Sequence, residues 1–136
     1  MKIYNWGIIG TGFIAQKMAA ALLLVPQSKL YAVASRKSST AADFAATHNC
    51  KAYGSYEELA NDPEIDVVYI ATPHNYHCEN TLMCINKGKH VLCEKPFAVN
   101  GREVHLMIDA AREKGVFLME ALWTRFNPRV INAKSV

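Results

Sequence analysis

Short apolar runs alternate with segments of helical period along the whole chain. Residues 3–9 are a compact apolar run. Residues 13–25 continue in helical period up to Pro26, whose fixed φ and missing N–H stop a helix. A second strand is expected over 30–35 and an Ala-rich helix over 40–47. A very short third strand is expected at 52–53. A helix over 55–60 follows, where Ser55 and Glu58 have the spacing of a capping box. Residues 66–71 read DVVYIA, a nearly unbroken apolar run of the kind found in a strand covered on both faces. The next helix is expected to be capped by Asn75 and ended by Gly88, ahead of a fifth strand over 90–93. Asn100 opens a further helix, with Glu103 three positions in and Gly115 past its end, and residues 116–119 make a sixth strand.

This alternation sets the fold class. Strand, helix and parallel strand are joined by a right-handed crossover, so a succession of such units builds a parallel sheet with helices on both faces. The expectation is α/β: a doubly wound parallel sheet (Rossmann fold) of about six strands in the order 3-2-1-4-5-6. Ligands of such sheets bind in the crevice at the carboxyl ends of the strands. The residues that follow each strand are therefore the ones to read for chemistry.

Composition narrows the partners. The chain has 136 residues, 51% hydrophobic and 20% charged, which is enough for one domain with its own core and too apolar for a disordered segment. The formal net charge of +3 is spread along the sequence, so no nucleic-acid partner is expected. The longest apolar run, 18–25, is far shorter than the ~20 residues that span a bilayer, and no secretory leader is recognisable. No membrane partner is expected. Cysteines stand at 50, 78, 84 and 93 without a Cys-x-x-Cys pair, which reads as four reduced thiols in a cytoplasmic protein.

Gly10-Thr11-Gly12-Phe13-Ile14-Ala15 follows the first strand and opens the first helix. Gly10, Gly12 and Ala15 form G-x-G-x-x-A in the strand–turn–helix setting that makes the pattern a dinucleotide fingerprint. Gly10 permits the tight turn, and Gly12 lets backbone approach a pyrophosphate, which meets the N–H groups of Phe13 and Ile14 at the helix start. Ala15 is small enough for close packing of helix on strand. The second strand ends at Ser35-Arg36-Lys37, without the acidic residue that an NAD-selective site carries for the ribose 2′-hydroxyl. Ser35 can hydrogen-bond a 2′-phosphate, Arg36 and Lys37 supply positive charge, and a guanidinium also stacks on adenine. The expected cofactor is NADP, with NAD the alternative.

The fourth strand runs into TPHNYH, residues 72–77, at the switch point beside strand one. His74, His77 and Cys78 lie within five residues of one another with no second cluster. A polar cofactor pocket or a helix start is therefore expected there and no metal. The fifth strand runs into Glu94-Lys95-Pro96. In isolation that charged pair reads as a surface salt bridge. In the crevice, Lys95 is placed to bond a substrate hydroxyl and move its proton, and partial desolvation would suit it to that task near neutrality. Glu94 is expected to accept from a ribose hydroxyl, and Pro96 to fix the turn, with a cis bond one option. After strand six come Trp123, Arg125 and Phe126, which either wall the nicotinamide side of a pocket or form an apolar seam for a following domain.

Taken together, the glycine turn, TPHNYH (72–77), EKP (94–96) and MEALWTRFNP (119–128) resemble the glucose-fructose oxidoreductase / inositol dehydrogenase / MocA family. Within it, VLCEKPFAVN (91–100) and MEALWTRFNP are similar to the dimeric dihydrodiol dehydrogenase (NADP-dependent xylose dehydrogenase) branch. The resemblance covers the chain up to Pro128. It implies that Lys95 is a catalytic or substrate-orienting lysine. It also implies that Thr72, Pro73, His74, Asn75 and His77 contact the nicotinamide end of the cofactor, and that Trp123 and Arg125 line the nicotinamide or substrate pocket. The reaction implied is hydride transfer between NADP and a carbon bearing a hydroxyl, in a sugar, polyol or cyclic diol.

Members of this family carry a second α/β domain with an open, mostly antiparallel sheet. That domain holds most substrate contacts, a further His or Tyr acid/base residue and the oligomer interface. By this resemblance residues 1–121 are the cofactor domain, and 122–136 begin the connection to a second domain that is absent. The chain is accordingly expected to be a truncated form, inactive alone, that associates as a homo-oligomer through an apolar patch at Trp123 and Phe126. The alternatives are a non-catalytic dinucleotide-binding module and an interaction domain whose glycine turn is merely structural.

Overall fold

A computed structural model describes residues 1–135. Six strands, β1 (Tyr4–Ile9), β2 (Ser28–Ala34), β3 (Lys51–Tyr53), β4 (Val67–Ile70), β5 (His90–Glu94) and β6 (Leu118–Ala121), form one sheet in the order β3-β2-β1-β4-β5-β6. Every pairing is parallel. The helices are α1 (Phe13–Leu22), α2 (Ser38–His48), α3 (Tyr56–Asn61), α4 (His77–Asn86), α5 (Gly101–Lys114) and α6 (Pro128–Lys134), with 3-10 turns at His74–Tyr76 and Trp123–Phe126. The expected fold class and strand order are both found.

Alternating side chains divide the core into two layers. Ile9, Val68, Ile70, Val91 and Cys93 face α3, α4 and α5. Ile8, Val33 and Tyr69 face α1 and α2. Leu30 and Val33 share a layer despite opposite parity, because the β1–β2 register slips by one residue between Trp6 and Gly7. All four residues of β4 are buried, as its apolar run requires.

Local capping signals are realised. The Glu58 N–H donates to Ser55 Oγ at 3.2 Å, and the Glu103 N–H donates to Asn100 Oδ1 at 2.9 Å. Gly115, at φ 65, closes α5 while the Val116 N–H donates to the Ala111 carbonyl at 3.0 Å.

Several boundaries differ from the sequence reading, and three of the differences have a clear physical reason. The first helix ends at Leu22 rather than at residue 25. Leu24 and Val25 N–H groups bond back to Ala21 and Leu22 in tightened turns, and Val25, preceding Pro26, is disfavoured in helical conformation. Asn75 does not cap α4: Pro73 sets a 3-10 turn, its carbonyl accepting from the Tyr76 N–H at 3.0 Å, and the helix begins at His77 with no side-chain cap. The sixth strand lies two residues later than 116–119. Val116 is spent closing α5, and the Phe117 N–H donates to His90 Nδ1 at 3.0 Å.

Candidate functional site

The sheet changes hands between β1 and β4. The chain leaves β1 into α1 on one face and leaves β4 toward α4 on the other, which opens a crevice at their carboxyl ends. The two turns that border it are close. The Ala71 N–H donates to the Ile9 carbonyl at 2.9 Å, and Gly10 has φ +106. A Cβ on Gly10 would stand 2.6 Å from the Ala71 carbonyl oxygen, so the turn needs glycine for both reasons.

Gly12 is different: its backbone is extended (φ −76), and a Cβ there would meet no heavy atom within 4 Å. Neither conformation nor packing demands glycine at that position. Gly12 is the N-cap of α1, which has no side-chain cap bond and no acidic residue in its first turn. The N–H groups at the start of α1, including those of Phe13 and Ile14, are thus left to an anion approaching across a bare glycine. This geometry fits a dinucleotide pyrophosphate. Ala15 is fully buried against the strand layer, as close helix packing needs, and the Phe13 side chain is 77% exposed.

At the end of β2, Arg36 and Lys37 are exposed and free to meet a phosphate. Ser35 is not. The Thr40 hydroxyl donates to the Lys37 carbonyl at 2.9 Å, so across the 2.6 Å Ser35–Thr40 contact it is Ser35 Oγ that donates. The Ser35 proton expected for a 2′-phosphate is committed to closing this turn.

The 72–77 segment separates into two parts. Pro73, His74, Asn75 and Tyr76 are exposed at the crevice, while Thr72 and His77 are buried. His77, 1% exposed, has Nδ1 2.8 Å from the Pro96 carbonyl and Nε2 2.8 Å from the Thr72 carbonyl. It clasps the turn after β4 to the turn after β5 and offers no surface to a nicotinamide. The Thr72 Oγ1 accepts from Asn80 Nδ2 at 3.1 Å. Among the described residues no group of three or more His, Cys, Asp or Glu side chains is placed to hold a metal ion.

After β5, the Lys95–Pro96 bond is cis. Glu94 is 5% exposed, and its carboxylate is already engaged. Oε1 accepts from the Tyr69 hydroxyl at 2.5 Å and from Trp123 Nε1 at 3.4 Å, and Oε2 accepts from the Lys95 N–H at 3.0 Å. Buried and already holding three donors, it steadies the lysine backbone and the tryptophan. Burial, and then the Glu94 hydrogen bond, push the Tyr69 hydroxyl well above its ordinary pKa, so it remains a donor. Lys95 is exposed, not partly desolvated as expected, and its neighbours in a small apolar hollow are Ile14, Leu122, Trp123 and Thr124. Arg125 lies apart from these, in a separate hollow with Glu120 and Arg112 beyond β6.

The model of the GFO/IDH/MocA oxidoreductase family, with its NAD-binding Rossmann fold, matches residues 4–122. The chain belongs to this family. It is 50% identical over 135 residues to the trans-1,2-dihydrobenzene-1,2-diol dehydrogenase of Sus scrofa, a match covering 97% of this chain and 40% of that enzyme. Among solved structures, an NAD binding oxidoreductase from Klebsiella pneumoniae superimposes with a TM-score of 0.92 at 39% identity, over 98% of this chain and 38% of that one. A 3-ketoreductase from Actinomadura kijaniata, in complex with NADP and TDP-benzene, gives 0.95 at 28% identity, over 98% and 42%. The chain spans about 40% of the length of the curated relatives it matches.

Several supporting groups were not found from sequence. Thr40 fixes the turn after β2, His77 joins two turns, and Tyr69 anchors Glu94. Tyr69 carried the one available signal, since it is the lone hydroxyl in the apolar run 67–70.

Proposed function

We propose that this chain is the cofactor-binding part of an NADP-dependent oxidoreductase acting on a hydroxyl-bearing carbon of a sugar, polyol or cyclic diol. The observation that carries the reading is Gly12. It is a glycine that the fold does not need, placed over the uncapped start of α1. In this reading the N–H groups at that helix start bind the pyrophosphate, and Arg36 and Lys37 hold the 2′-phosphate. Pro73, His74, Asn75 and Trp123 border the nicotinamide and substrate, while Arg125, in its separate hollow beyond β6, is left out of this contact. NADP, when bound, donates or accepts the hydride. Lys95 hydrogen-bonds the substrate hydroxyl and moves its proton, with its backbone N–H fixed by Glu94. The relatives' length supports placing the rest of the substrate site outside these residues. The free thiols of all four cysteines support a cytoplasmic setting.

Fluorescence titration tests the proposal. Saturable NADPH binding is expected, weaker NADH binding, and a reversed preference in Arg36→Asp. The chain alone is expected to oxidise neither xylose nor a cyclic diol. Absence of saturable NADPH binding would defeat the cofactor reading, and turnover by the isolated chain would defeat its division of labour.

A further inference from the structure

Tyr76 is an exposed aromatic ring with no evident task in the fold. It closes a 3-10 turn whose neighbours, Thr72 and His77, are held by buried hydrogen bonds, while its own side chain is 40% exposed. The ring is nevertheless not alone. The guanidinium carbon of Arg36 stands 5.9 Å from its centroid, within reach of a cation–π contact. Arg36 comes from the turn after β2 and Tyr76 from the turn after β4, and β1 with its glycine turn lies between those two strands. The pair therefore bridges the turns after β2 and β4 across the carboxyl end of β1.

The chemistry of such a pair is specific. A planar cation facing an aromatic ring is a slot for a flat heteroaromatic system, because each face can stack on it without reading its edges. Arg36 is exposed on a flexible stem, so it can lift from Tyr76 and settle on the other side of an inserted ring. Its guanidinium stays close enough to a ribose 2′-phosphate to serve both purposes.

We propose that Tyr76 is the stacking wall for the adenine of the dinucleotide, with Arg36 as the opposite wall. This rests on the dinucleotide reading given above and adds to it a residue that fixes affinity for the base rather than for the 2′-phosphate. Arg36 discriminates NADP from NAD, whereas Tyr76 serves both equally.

Calorimetric titration of the chain with NADPH, NADH and 2′,5′-ADP tests the assignment. Tyr76→Ala is expected to weaken all three by about tenfold, the loss of one base–aromatic stack, and to leave the NADPH-to-NADH affinity ratio unchanged. Tyr76→Phe is expected to bind within about twofold of the parent chain, because it keeps the ring. Should Tyr76→Ala fold poorly by circular dichroism, Tyr76→Leu replaces it, keeping bulk without a π face, with the same expected loss. Unchanged binding in the folded variant overturns the proposal. So does a loss confined to NADPH and 2′,5′-ADP, which would make Tyr76 a mere support for Arg36. A parent chain that binds none of the three ligands overturns the dinucleotide reading itself, a result distinct from both.

Discussion

A methyl group at Gly10 would sit 2.6 Å from the Ala71 carbonyl on a backbone at φ +106, whereas the same methyl at Gly12 would project into open space. The two glycines of one motif thus answer to different demands, and two variants separate them. Gly10→Ala is expected to lose about 1–3 kcal/mol of stability, and NADPH binding with it. Gly12→Ala is expected to melt at the parent temperature yet bind NADPH about tenfold more weakly, because the added carbon stands where the pyrophosphate must approach. Thermal melts paired with NADPH titrations check both, and a Gly12→Ala chain that binds normally would remove the main support for the cofactor reading. The motif was legible because its parts are contiguous. The roles of Ser35, Glu94 and His77 were not. Glu94 reads from sequence as a strand-end acceptor, and its donors Tyr69 and Trp123, 25 and 29 residues away, are visible only in the fold. His77 looked like a cofactor contact until Pro96, 19 residues on, proved to share its ring. Residue type and strand-end position indicate which groups are near a site, and only tertiary pairing shows which of them remain free.

Elements were legible where the signal was local. Ser55 and Asn100 announce their helices within three residues, and β4 announces itself by an unbroken apolar run. The start of β6 was not legible, since the partner that holds Phe117 back is His90 on a neighbouring strand. The same kind of non-local contact governs the sheet edge. Asp62, closing α3, accepts from Tyr53 of β3 and from the Glu64 N–H, and pairs with Lys51 at 3.2 Å. Burial raises the Asp62 pKa, but the Tyr53 hydrogen bond, the Glu64 N–H and the Lys51 ammonium outweigh that and hold it below its ordinary 3.8. A carboxyl lowered in the folded state contributes stability that is present above its unfolded pKa and lost as pH falls through the folded one. Urea unfolding should therefore show the chain weakening as pH drops below about 4. Asp62→Asn should cost about 1–3 kcal/mol at pH 7 and flatten that acid slope. Asp66, lowered by the Asn5 N–H and Lys2 against its own burial, should leave a residual slope in the variant. An acid slope identical in parent and variant would mean that Asp62 does not carry it.

On the scale of the whole molecule, the two faces of the sheet are not equally covered. Helices α3, α4 and α5 pack along one face, from β2 to β5. On the other, α1 and α2 lie over the β1–β3 half and leave an apolar groove beside α1, lined by Met18, Leu92, Met119, Leu122, Trp123 and Phe126. Trp123 and Phe126 are 60% and 59% exposed, and neither the 3-10 turn that carries them nor α6 beyond it buries a residue. A largely apolar groove of this kind, rimmed by aromatic rings with Lys17 at its border, favours association in water because each ring withdrawn from solvent is favourable. The chain is therefore expected to self-associate, with a mass that rises with concentration in light scattering. The double variant Trp123→Lys, Phe126→Lys should shift it toward monomer, since two charges cannot enter such an interface without partners. NADPH affinity in that variant should change little if the bound cofactor leaves Trp123 untouched, and should fall if Trp123 takes up the nicotinamide. The paired measurement thus decides between the two readings of the segment after β6. Loss of association alone makes Trp123 part of a seam, and loss of both makes it a wall of the site as well. A parent chain that stays monomeric at the highest attainable concentration would show that the groove is too small or too well shielded to hold a second copy.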